Sequence, residues 1–445
     1  MMAKVQNMNR RGRFWVLLGL LLALIMMRYA LQIDIPRILF LAIVGLIAFW
    51  GDRDEIIAVC ISLIPMHASL DFFYALVLCS VVYIFKFHRQ IRFGLNVLLV
   101  LLVAVWELLH CFSTSFSIVS FLTCVIPFIF LAILIASDVE KVNYHFIIRA
   151  FIWSIFGVSL MLFIRVLYFA DFNITYALAG LQRIGSDSHS NIQNVEIVGG
   201  QINSNSLGII TVLASTSLMQ LRSIRKIEKF DVIIMCITLV LAALGASRTY
   251  LLCLVLMSVL LIFSEKGGFY KKIRLLWVLC FTITLVTILF VVLFPDTFAY
   301  YVGRFSDSDI TSERKTLMAL YHKFIVDNPR VLFFGIGLQN YGERLVYSYK
   351  VAFNAPHNSI QEIIIAWGIP GLILFAIQFF NMYLASSRKN RNQSLINWIP
   401  LIIILFKGLA GQTLTSPYTM LALSLAYLSL CQDFSGTKGS DEVSL

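Results

Sequence analysis

Several kinds of chemistry have no foothold in this chain. It contains no G-x-x-x-x-G-K-[ST] loop, no His/Cys spacing of a metal site and no nucleophile elbow, which leaves ATP hydrolysis and metalloprotease chemistry without their usual residues. No metal and no cofactor is expected. The eight cysteines (Cys60, Cys79, Cys111, Cys124, Cys236, Cys253, Cys280 and Cys431) include no C-x-x-C pair and lie mostly in apolar segments, as buried structural thiols would. Charge is scarce as well: 13% of the 445 residues are charged and 59% are hydrophobic. In–out alternation of the kind a barrel strand needs is missing from the apolar runs.

What the chain does have is repeated apolar runs, each roughly long enough to cross a bilayer core. Helices are the expected spanning element, because a helix satisfies its own backbone in lipid. The reading is an all-α polytopic membrane protein with about 14 spans, near 14–31, 35–50, 55–67, 70–85, 93–111, 117–136, 146–170, 205–221, 230–246, 249–263, 275–294, 359–385, 395–409 and 416–431. The third, short and containing Pro65, could instead be re-entrant. The basic start followed by an apolar run reads as an uncleaved anchor, since more spans follow directly.

A net charge of +11 would suggest nucleic acid in a soluble protein, but its distribution is topological. Lys4, Arg10, Arg11 and Arg13 precede the first span, and the later basic clusters, from Arg53 to Arg388, Lys389 and Arg391, fall on that same side. Both termini are therefore expected in the cytoplasm. No nucleic-acid partner is expected.

Two segments on the opposite side are too long to be simple connections. The first, 171–205, is polar and ends in Gly199-Gly200-Gln201-Ile202-Asn203-Ser204-Asn205. The second, 295–358, is the largest soluble piece, and it divides the chain into an N-terminal bundle (1–294), an external loop (295–358) and C-terminal spans with a tail (359–445). Within this loop Thr311-Ser312-Glu313 is a helix-start signal, and Leu317, Leu320, Tyr321 and Phe324 recur at helical spacing until Asn328-Pro329. Arg314 is aimed toward the apolar face of that helix, within reach of a lipid phosphate. The glycines of Phe334-Gly335-Ile336-Gly337-Leu338 allow a tight backbone path.

The loop closes on Ala355-Pro356-His357-Asn358-Ser359-Ile360-Gln361-Glu362. Ser359 and Glu362 have the spacing of a capping box, which predicts a helix starting near Ile360 with His357 against its positive end. Other histidines (His67, His88, His110, His145 and His322) are given no chemistry, Arg28 and Arg165 are expected to snorkel, and Glu107 has no evident partner.

In order along the chain, Arg183, Gln201-Ile202-Asn203-Ser204-Asn205, Gly245-Ala246-Ser247-Arg248, Ser312-Glu313-Arg314, Gly335-Ile336-Gly337, His357-Asn358 and Trp367-Gly368-Ile369-Pro370-Gly371 resemble the O-antigen polymerase and O-antigen ligase superfamily. The resemblance implies a GT-C-like fold in the bacterial cytoplasmic membrane. It also implies glycan transfer on the periplasmic or extracellular side, from an undecaprenyl-pyrophosphate-linked donor to a lipid-linked acceptor. Membrane lipids, a chain-length regulator and a flippase are the further partners it suggests. Arg248 resembles the family's outer-end arginine, Arg314 its loop arginine and His357 its loop histidine. Trp367 stands where an acidic residue is often seen, and Glu362 is not obviously its replacement.

Those residue types suit that reaction. Guanidinium groups stay charged and grip phosphate oxygens bidentately, so Arg248 and Arg314, with Arg304 a weaker candidate, would neutralise the departing diphosphate. An imidazole titrating near neutrality can take the proton of a sugar hydroxyl, which makes His357 the candidate base. Arg183, Asn205 and Asn358 are possible further substrate contacts. A ligase with a different acceptor, and a transporter of lipid-linked sugar, remain alternatives; the gathering of polar residues in one external loop, without internal repeats, favours an enzyme.

Overall fold

A computed structural model describes residues 2–31, 33–66, 70–92, 94–112, 118–169, 171–172, 196–197, 200–201, 204–224, 227–243, 247–265, 267–293, 295, 298–299, 302, 314–337, 358–410 and 417–434. Helices stand where hydropathy placed them: α1 (Met2–Tyr29), α2 (Arg37–Trp50), α3 (Arg53–Ser62), α4 (Leu70–Phe87), α5 (Leu95–Phe112), α6 (Ile118–Ala136) and α7 (Tyr144–Phe169). They continue as α8 (Ser204–Ser223), α9 (Lys229–Ala243), α10 (Arg248–Ser264), α11 (Phe269–Leu293), α12 (Arg314–Asp327), α13 (Val331–Phe334), α14 (Ser359–Lys389), α15 (Leu395–Ala410) and α16 (Pro417–Cys431). Besides helix, the described residues hold one two-residue antiparallel pairing, Glu196–Ile197 with Gly200–Gln201. Among the described residues four helices are long and apolar enough to cross a bilayer, and six more are apolar but shorter.

The third predicted span is a ten-residue helix, α3, followed by a single 3-10 turn, Ile64–Met66. At 1.5 Å per residue α3 covers about 15 Å, half a bilayer core. Its start is fixed by a capping box in which Asp52 accepts from the Glu55 amide and Glu55 from the Asp52 amide. Nearly the whole helix is buried, so its Glu55 and Ser62 need the polar surroundings of a protein interior. Helix α4 returns the chain to the end where α3 began, because Lys86 donates to the carbonyls of Phe49 (3.0 Å) and Gly51 (2.5 Å). The path of the following helices is therefore the same whether α3 crosses or re-enters.

The bundle has a polar-lined centre. Helix α8 is buried almost throughout, and Thr211, Thr216 and Ser217 on it donate to the carbonyls four residues earlier (2.9, 2.9 and 3.0 Å). That local bonding helps hydroxyls sit in the interior of the bundle. Gln220, at its far end, receives the Tyr144 hydroxyl (2.6 Å) and donates to the Ile396 carbonyl and the Ser429 hydroxyl (both 2.7 Å), tying α7, α8, α15 and α16 together. At the same end Arg149 bonds Glu228 (2.7 Å) and the fully buried Asp231 (3.1 Å), and Lys389 donates to the Ser137 carbonyl. The groups joined there come from segments whose charge predicts a shared cytoplasmic side. The opposite end carries residues 314–337 and the start of α14, and is called the loop end below.

Candidate functional site

Two constructions occupy the loop end. In the first, α14 is broken. Gly368 has φ 71° and ψ −172°, and Pro370 follows two residues later. Proline has no N–H, so the Ala366 carbonyl loses its normal helical donor, and the break at Gly368 removes that of Ile365. Both carbonyls are used by the loop: the Ile336 amide donates to Ile365 and the Gly337 amide to Ala366, each at 2.8 Å. The glycine-containing turn therefore serves as a replacement for missing helix bonds. Gly335 (φ 66°) lies so close that a Cβ there would sit 2.2 Å from the Ala366 oxygen, and one on Gly368 would sit 2.8 Å from the Leu332 oxygen.

Helix α5 clamps the same turn from its other side. Trp106 donates its indole N–H to the Phe334 carbonyl (3.2 Å) and His110 Nε2 bonds that oxygen at 2.8 Å. Between them Glu107, 2% exposed, accepts the Trp367 indole N–H at 2.7 Å. The partner of Glu107 was invisible in sequence, because it lies 260 positions away. Trp367 is thus bound to an acidic residue from another helix. Glu362 is buried beside Tyr321 of α12, and burial, together with that carboxylate's charge, holds the Tyr321 phenol well above its ordinary range.

The start of α14 differs from the expected capping box. Asn358, not Ser359, is the N-cap: its Oδ1 accepts from the amides of Ile360 (3.0 Å) and Gln361 (3.1 Å), and the helix begins at Ser359. Ser359 and Glu362 are instead turned into the interior. Asparagine is among the strongest caps, and here it precedes the serine by one position. Gln361 donates to the Met318 carbonyl of α12 at 2.9 Å, so the amphipathic helix predicted over the loop is docked against the start of α14.

The second construction joins α8 and α10. Ser247 caps α10 by accepting from the Tyr250 amide and donates to Asn205 Oδ1 at 2.5 Å. The two helices approach closely because Gly208 faces Tyr250, where a Cβ would lie 2.6 Å from the Tyr250 Cβ. Asn205 and Arg248, two of the candidate residues, thereby share one corner under two helix N-termini, a place that favours anions.

Arg314 is the first residue of α12, on the helix that docks against α14. Its side chain, and the whole of Arg183, Arg304 and His357, lie outside the described residues; His357 is the residue immediately before the Asn358 cap. Arg165, expected to snorkel, is only 6% exposed and donates to the Tyr29 carbonyl at 2.7 Å, because α1 ends over it. Lys407, which drew no notice in the sequence, is buried near the loop end of α15. Among the described residues no group of three metal-ligating side chains occurs.

An apolar helical bundle of this kind is that of an integral membrane protein. Residues 232–376 match the family model described as O-antigen ligase, which places this part of the chain in the O-antigen polymerase and ligase superfamily. The match runs from α9 through the loop to the middle of α14, and so takes in Arg248, Arg314, the glycine turn and the broken helix. Comparison with curated proteins and with solved structures gave no match.

Proposed function

We propose that the protein is a polysaccharide polymerase, working on the outer face of a bacterial membrane. It transfers glycan from an undecaprenyl-pyrophosphate-linked donor to a sugar hydroxyl of a lipid-linked acceptor. The observation that carries the reading is the O-antigen ligase match over residues 232–376, which spans the segments bearing Arg248, Arg314 and His357. In the reaction the acceptor oxygen attacks the anomeric carbon, the bond from that carbon to the diphosphate oxygen breaks, and the acceptor proton passes to His357. Configuration at the anomeric carbon inverts.

Charge appearing on the leaving diphosphate is taken up by Arg248 and Arg314, with Arg304 as a further cation. Near a low-dielectric boundary such contacts are stronger than in water. Asn205, bonded to the N-cap of the Arg248 helix, holds that corner in place, and Asn358 holds the start of α14 beside His357. Arg183 belongs to the loop that leads into the Asn205 segment and is proposed to contact substrate.

The family description fits transfer to a different acceptor equally well, so the acceptor is the point to test. Purified protein in nanodiscs, supplied with lipid-linked repeat units alone, is expected to give a ladder of longer lipid-linked chains and to release undecaprenyl pyrophosphate. Product that appears only after a second, non-repeat acceptor is added would assign the ligase reaction instead.

A further inference from the structure

Phe333 and Phe334 of α13 stand 62% and 60% exposed at the glycine turn, just after an exposed polar run, Asp327-Asn328-Pro329-Arg330. The two helices that hold the turn carry exposed apolar stripes that lead toward it: Leu98, Val105 and Leu109 on α5, and Ile369, Ile373 and Phe380 on α14. Each set is spaced by three to four residues or multiples of that, so it lies along one helix face. On apolar helices of a membrane protein such faces meet acyl chains, and the two phenylalanines continue them.

The turn also lies at the right depth. From Gly368, against which it is packed, to Lys389 the helix rises about 30 Å at 1.5 Å per residue, the thickness of a hydrocarbon core. With the basic end Arg388-Lys389 at one boundary of the core, the turn falls at the other. Its backbone is completed as lipid requires. Every amide of residues 331–337 donates to a carbonyl of the protein, and the Phe334 carbonyl is bonded by both the Trp106 indole and His110. Non-helical backbone persists at membrane depth only where the protein satisfies it in this way, whereas a turn in water has no such need.

We infer that residues 331–337 are seated in the lipid leaflet on the loop side, with Phe333 and Phe334 among the acyl chains. Membrane lipid then anchors this part of the external loop together with α5 and α14. The inference is independent of the reaction proposed above, and it assigns a lipid contact within what the sequence alone marks as the largest soluble piece.

The test uses the wild-type, full-length protein in nanodiscs of phosphatidylethanolamine and phosphatidylglycerol, doped with a phosphatidylcholine that carries a diazirine within its acyl chain. After photolysis, peptide mass spectrometry locates the adducts. Label on Phe333, Phe334 or both is expected, at a yield comparable with that on Ile373 of the lipid-facing stripe and well above that on the exposed His322 of α12. Label on Ile373 with none above the His322 level on residues 331–337 overturns the inference, and shows that the rest of the loop or another protein covers the two phenylalanines.

Discussion

Replacing Gly335 with alanine attacks the contact between the external loop and the broken helix at its closest point. With φ 66° and ψ −169°, Gly335 occupies backbone space that is essentially reserved for glycine, and forcing another residue into it costs about 1–3 kcal/mol. The added methyl would also sit 2.2 Å from the Ala366 oxygen and 2.5 Å from the Trp367 nitrogen. These are backbone atoms, so no side-chain rotation relieves the overlap. Backing the turn away breaks the Ile336 and Gly337 amide bonds to Ile365 and Ala366, worth about 0.5–1.5 kcal/mol each. The sum is roughly 2–6 kcal/mol, so undocking of the turn becomes a hundredfold or more easier near the middle of that range. Hydrogen exchange of the peptide containing Ile336 and Gly337 is the assay. Gly94→Ala, where nothing lies within 4 Å of the added Cβ, is the control. Exchange of those amides at the wild-type rate in Gly335→Ala would refute the interlock.

Glu107→Leu leaves the buried Trp367 indole N–H without its acceptor and is expected to cost about 1–3 kcal/mol in thermal unfolding, whereas Glu107→Gln, which keeps an acceptor oxygen, stays close to wild type. Arg149→Leu strands the fully buried Asp231 and should lower stability by about 3–5 kcal/mol, with part of the loss recovered by adding Asp231→Asn; detergent-extracted yield and unfolding temperature report both. Asn358→Ala removes the cap of α14 and is expected to cost about 1 kcal/mol, read as faster exchange of the Ile360 and Gln361 amides, with rescue by Asn358→Ser.

The helices were legible because apolar runs and the positions of Lys and Arg are local properties of the chain. Even the weakest segment, around Pro65, carried its own sign, since a run that short does not fill a bilayer core. What sequence could not supply were pairings across distance. Glu107 and Trp367 meet from helices 260 positions apart, and nothing near Lys407 in the chain announces that its ammonium is enclosed. The cap at the start of α14 was misplaced by one residue because Asn358 and Ser359 are both good caps, and their order is decided by which of them faces the interior. The glycine turn was read correctly as a tight backbone path, but its partner, the pair of carbonyls released by Gly368 and Pro370, emerges only when the two segments are seen together.

The central claim is that transfer proceeds by displacement with His357 as base, on a donor whose diphosphate is held at the loop end. Single-turnover transfer from a defined undecaprenyl-pyrophosphate-linked donor, with purified wild-type and His357→Ala protein compared at saturating donor, tests it most directly. The account predicts that His357→Ala binds donor normally and transfers glycan about 10²–10⁴-fold more slowly; transfer at the wild-type rate by His357→Ala would contradict it.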